Sequence, residues 1–257
     1  MRIGITEYGD AGLDFRWENK LNSTKVKVPF NGAILITKNI NDAFIEKVLT
    51  QTKPLVIHCT CTGYGGTILE PNVPDFKTQF NNLEKLINKG FPKDRIVIRI
   101  DPIVPNDEYL LKTKEMLDYF ISKDLGLNRF RISVLDEYKF VKKRLSDVGL
   151  SPIYGNYNFT ASKTQFDKVY NLLSSYDFVY ETCAEDDFAK RYPTILKIQG
   201  CLSNFDLNLM GLPSISVGEN PQQRKGCHCL EIKEELLTPR KQCSHQCIYC
   251  FWKRNGE

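Results

Sequence analysis

No run of apolar residues in this 257-residue chain approaches the roughly 18 that a membrane-spanning helix needs. The opening MRIGITEYGD has no apolar h-region and no small-residue cleavage site. Membrane spanning and secretion are therefore not expected, and the chain reads as cytoplasmic. Internal repeats and low-complexity stretches are lacking too, beyond a recurring strand–helix unit, which leaves an ordinary globular chain. Nor is there a strong excess of one charge. Lys and Arg number 35 against 31 Asp and Glu, a balance that permits nucleic-acid binding without arguing for it. The basic run at 139–144 reads as a solvated helix face.

What is present is enough apolar sequence for a full core, 42% of residues, in a chain long enough to need no disulfides. Cysteine is nevertheless abundant. Four of the nine lie between positions 59 and 201, and five crowd into positions 227 to 250. An odd total and tight C-terminal spacing disfavour a disulfide framework and favour metal or redox chemistry.

Short apolar runs at 2–6, 33–37, 54–59, 95–100, 129–134 and 178–182 read as strands, several β-branched and without polar alternation, as in a parallel sheet covered on both faces. Segments 41–51, 75–89, 107–123, 138–147 and 163–174 carry apolar residues at helical spacing. Asn41 and Asp75 stand where N-caps belong, and Gly90 where a helix stops. Strands alternating with helices predict an α/β fold with crossover connections. The expectation is a (βα)6-type partial TIM barrel over 1–212, although pattern alone also allows a doubly wound open sheet. After Glu181 the periodicity decays, 192–212 is ambiguous, and 213–224 has loop chemistry. The region 213–257 is expected to be a cysteine-rich tail packed on the same domain.

The tail reads Cys227-His228-Cys229, thirteen residues, then Cys243-Ser244-His245-Gln246-Cys247-Ile248-Tyr249-Cys250. Closely spaced thiolates can close a tetrahedral zinc site or hold an iron–sulfur cluster. Cys-x3-Cys-x2-Cys with an aromatic before the last cysteine resembles the radical S-adenosylmethionine (SAM) signature. Other segments extend the likeness: Thr37-Lys38-Asn39, His58-Cys59-Thr60-Cys61-Thr62-Gly63-Tyr64-Gly65, Leu69-Glu70-Pro71-Asn72-Val73-Pro74 and Arg99-Ile100-Asp101-Pro102-Ile103-Val104-Pro105. Further ones are Ile132 to Tyr138, Glu181-Thr182-Cys183-Ala184-Glu185, Gly200-Cys201-Leu202, Gln223-Arg224 and Cys227-x-Cys229. With these motifs the chain resembles a family of unknown function whose members are radical-SAM-like barrels with a C-terminal cysteine cluster, distantly related to spore photoproduct lyase.

That resemblance implies a 4Fe–4S cluster on Cys243, Cys247 and Cys250, with one iron left to chelate SAM. Reduction by an electron donor would then cleave SAM to a 5′-deoxyadenosyl radical that abstracts hydrogen from substrate. The kinship points the unknown substrate toward a nucleobase or nucleic acid. Radical SAM enzymes carry the triplet after their first strand, whereas here it follows the last predicted element. The tail is therefore expected to fold back over the C-terminal mouth of the barrel, where active sites of such barrels sit.

By resemblance Lys38 and Thr60 contact SAM, although Lys38 also reads as a solvated lysine. Arg99 and Asp101 share a strand face, so they either pair internally or bind a polar ligand. Cys61 and Cys183 end strands, where a thiol either donates a hydrogen atom to a radical or is simply buried. Cys227 and Cys229 join the same metal, a second one, or none. If one of them completes a closed four-cysteine iron–sulfur or zinc site, the chain is a non-catalytic binding or scaffold protein. His228 and His245 are candidate supporting donors, and His58 reads as a core residue. Tyr64 reads as an exposed turn residue or a stacking platform.

Overall fold

The apolar strand runs are covered by helices on one face and by a second apolar cluster on the other. The computed structural model describes residues 1–25, 27–182, 184–216, 227–237 and 243–252. In chain order the elements are β1 (Ile3–Ile5), α1 (Arg16–Leu21), β2 (Gly32–Thr37), α2 (Asp42–Leu49), β3 (Leu55–Thr60) and α3 (Phe76–Asn88). They continue with β4 (Ile96–Ile103), α4 (Asp107–Ser122), β5 (Arg129–Val134), α5 (Lys139–Asp147), α6 (Lys163–Leu173) and β6 (Val179–Thr182). The last are α7 (Asp186–Arg191), β7 (Leu196–Ile198), α8 (Asn204–Leu209) and β8 (Lys233–Glu235). The predicted caps form. Asn41 accepts from the Phe44 amide, Asp75 from Lys77 and Thr78, and Gly90 takes φ +100° after α3.

All eight strands are parallel, in the order β7-β6-β5-β4-β3-β2-β1-β8. From β1 to β7 the order advances one strand at a time. Because parallel crossovers are almost always right-handed, such an order keeps the connecting helices on one face. A doubly wound sheet instead reverses its order at a switch point. β8 sits beside β1, where it would stand in a ring of eight cut between β7 and β8, and the sheet is open at that cut.

Period-two alternation divides the side chains accordingly. Leu35, Ile57, Ile98 and Phe130 join Phe44, Phe80, Met116 and Phe120 of the helices in one core. Ile34, Val56 and Val97 face the other way and pack with Ile3, Ile5, Leu202, Leu207 and Leu230. Further along this inner face lies a buried ionic group. Glu181 pairs with Arg131 and, at 2.8 Å, with Arg129, whose guanidinium also approaches Asp206 to 2.8 Å.

Six strands fall where the sequence predicts them; β7 and β8 do not. Each is a three-residue edge, and the Lys-Glu-Glu of β8 has no apolar alternation to announce a strand. β8 also comes from the region expected to be a tail, yet it belongs to the main sheet. Tyr64 departs from both of its expected roles. It is fully buried, its hydroxyl 3.1 Å from Thr113 Oγ1 and accepting from the Val104 amide at 2.9 Å. Tyr64→Phe leaves that amide without an acceptor, so urea denaturation should show a loss of about 1–3 kcal/mol.

Candidate metal centre

Toward the C-terminal ends of the strands the inner face turns from apolar to polar. Lys38 follows β2, Thr60 ends β3, Arg99 and Asp101 lie on β4, and Ser133 lies on β5. All of them line one cavity of about 590 Å³. The C-terminal segment lines the same cavity with Cys243, Cys247 and Cys250. The triplet and the strand-end residues therefore border a shared space.

Several interactions pin that segment. His245, 3% exposed, places Nε2 at 2.9 Å from Asp10 Oδ2 and Nδ1 at 3.1 Å from the Asn72 carbonyl. Asp10 also accepts from Thr37 Oγ1 and the Lys38 amide, both at 2.6 Å. Burial works against the Asp10 charge, but His245 and these donors outweigh it and hold the carboxyl below its usual range. Asn72 donates to the Ser244 and His245 carbonyls, and the Ile248 amide donates to Leu69. Arg144 donates to the carbonyls of Ile248 and Cys250 at 3.0 and 2.8 Å, so the run read as a solvated helix face ends on a working residue. Phe251 packs edge-on against Tyr138 and Phe140, and Trp252 lies 4.4 Å from the Tyr8 ring.

Glu70 is the hub on the strand side. It is 1% exposed and takes Lys38 Nζ at 2.7 Å, Thr62 Oγ1 at 2.9 Å and the Tyr249 hydroxyl. Lys38 also donates to the Tyr249 oxygen at 3.0 Å, so it is a buried, paired cation rather than a solvated one. Burial disfavours its charge, but Glu70 first, then Cys247 and Asp101, more than restore it, and its pKa is raised. Burial pushes the Cys243 thiol up to about 12 and raises Cys247 as well. A metal binding here must therefore displace protons from them.

The other candidates are distributed unevenly. Arg99 and Asp101 pair with each other, Nε to Oδ2 at 2.8 Å, while both face the cavity. Thr60 stands beside Arg99 in register. Cys61 is 6% exposed and packs in the helix-side core, because alternation that turns Thr60 inward turns Cys61 outward. Cys183 lies outside the described residues. Cys227 lines the cavity, whereas Cys229 packs in the inner apolar cluster and its sulfur accepts from the Cys201 amide at 3.1 Å. His228 meets Asp186 of α7 at 2.8 Å. Asp10 and Glu70 are missed by sequence reasoning. Glu70 sits inside a quoted motif, but nothing local marks it as buried.

Residues 15–252 match the family described as Domain of unknown function (DUF1848), and the chain belongs to that family. No curated protein and no solved structure matches it. Among the described residues, no helix is long and apolar enough to cross a membrane.

Glu70→Ala strips buried Lys38 of its counter-ion and Tyr249 of its acceptor. Chemical denaturation should register a loss of about 3–5 kcal/mol, with Glu70→Gln losing less because one acceptor survives.

Proposed function

We propose that the chain is a radical-SAM-like iron–sulfur enzyme whose Cys243, Cys247 and Cys250 hold a four-iron cluster beside a substrate cavity. In this reading the curled sheet is a partial barrel, and the C-terminal segment lies across its mouth. The observation that carries the proposal is that all three triplet cysteines line one cavity together with Lys38, Thr60, Arg99 and Asp101. A volume of about 590 Å³ falls in the range of small-molecule sites. Among the described residues, Glu7, Cys201 and Cys229 are the one group of three ligand atoms gathered within 4.8 Å, so the triplet sulfurs are spread more widely.

Cys243, Cys247 and Cys250 would hold the cluster, which would supply the one-electron reduction that cleaves SAM for hydrogen abstraction from substrate. The chain's own residues bind and orient. Lys38 and Arg99 offer cations to a carboxylate, Thr60 a hydroxyl, and Asp101 an acceptor for an amine or ribose hydroxyl. Tyr8 and Trp252 also line the cavity and give aromatic surface to an adenine or to a nucleobase substrate. The apolar cluster around Ile34, Val56 and Val97 closes the far end of the inner face against water. An external electron donor is required.

Cys243→Ala, Cys247→Ala and Cys250→Ala are each expected to lose most of the bound iron while circular dichroism stays native, because the sheet has its own core. Anaerobically reconstituted, dithionite-reduced protein should release 5′-deoxyadenosine and methionine from SAM, and its EPR signal should change on SAM addition. A reconstituted cluster that does neither overturns the enzyme reading. Loss of the whole cluster in Cys227→Ala would instead identify a closed, non-catalytic site.

A further inference from the structure

Three chain segments far apart in sequence meet beside the cavity. Glu7 follows β1, Cys201 lies between β7 and α8, and Cys229 precedes β8. One carboxylate oxygen and two sulfurs from these residues lie within 4.8 Å of one another. Local structure enforces the approach. The Leu230 amide donates to the Leu202 carbonyl at 3.0 Å, tying the two cysteine segments together. Gly200 makes room, since a Cβ there would stand 2.4 Å from the His228 carbonyl oxygen and 2.5 Å from the Cys229 amide. Both sulfurs receive N–H donors, Cys229 from the Cys201 amide at 3.1 Å and Cys201 from Arg99 at 3.3 Å. Lys233 bonds both Glu7 oxygens, at 2.9 and 3.2 Å. Such donors orient the ligand atoms as supporting partners of a ligand set do.

We propose that Glu7, Cys201 and Cys229 form a second metal site, distinct from the triplet, that holds a single thiolate-preferring divalent ion of the zinc class. A tetrahedral zinc ion sets sulfur and oxygen ligands about 3.5–3.8 Å apart, so the observed group needs only a small contraction. A four-iron cube interposes its own irons and sulfides and holds its thiolates farther apart. Two sulfurs with one carboxylate suit zinc over the hard cations magnesium and calcium. Glu7 and Cys201 line the cavity, as does Cys227, so the remaining position of a four-coordinate ion opens on the space the triplet faces.

The site is separable from the cluster by experiment. The triple variant Cys243→Ala, Cys247→Ala, Cys250→Ala, purified anaerobically with zinc, should retain about one zinc per chain by elemental analysis. Adding Cys201→Ser or Cys229→Ser should remove most of it, and cobalt in its place should lose its thiolate charge-transfer band in the same variants. In the otherwise intact chain, Glu7→Gln, which keeps side-chain volume, should weaken zinc binding at least tenfold. A triple variant that folds natively yet holds no zinc overturns the proposal. So does zinc undiminished by both serine substitutions and by Glu7→Gln, or a Cys201–Cys229 disulfide in anaerobic protein. Failure of the triplet to bind iron leaves these outcomes unchanged.

Discussion

A carboxylate buried to 1% exposure must be neutralised by what surrounds it, and Glu70 recruits three separate parts of the chain to do so. Lys38 comes from the end of β2, Thr62 from just beyond β3, and Tyr249 from inside the cysteine triplet. The same arrangement recurs at Asp10, which binds Thr37, the Lys38 amide and His245. Two buried acids thus join the strand ends to the C-terminal segment. The positions of Cys243, Cys247 and Cys250 follow from them, because His245 and Tyr249 alternate with the cysteines along the chain.

The cavity is bordered by the triplet and by a second group of residues. Among the described residues, ligand atoms of Glu7, Cys201 and Cys229 lie within 4.8 Å of one another. Arg99 reaches Asp101 with one edge of its guanidinium and Cys201 with another.

Much of the sheet was legible because β1 to β6 are apolar runs and their helices carry local caps at Asn41 and Asp75. The short charged edge of β8 offers no such pattern. Cys61 takes the buried one of its two expected places, as the period two that separates it from Thr60 requires. Tyr64 was misread because an adjoining glycine turn suggests exposure, whereas Val104 and Thr113 bury it. The triplet stands out in the sequence by its spacing. Its anchors do not, since Glu70 meets its partners across 32 and 179 residues and Asp10 meets His245 across 235. Nor could spacing show that Cys229 turns to Cys201 rather than to the triplet.

The order of the chain gives this anchoring a consequence for biosynthesis. Residues 243–252 leave the ribosome after every strand of the sheet, so Asp10 and Glu70 wait through nearly the whole of translation for His245 and Tyr249. Until then the strand ends are open, and the three triplet thiols do not yet exist. A chain broken off before position 243 can build most of its sheet but lacks Cys243, Cys247 and Cys250 together with the two anchors that set their place.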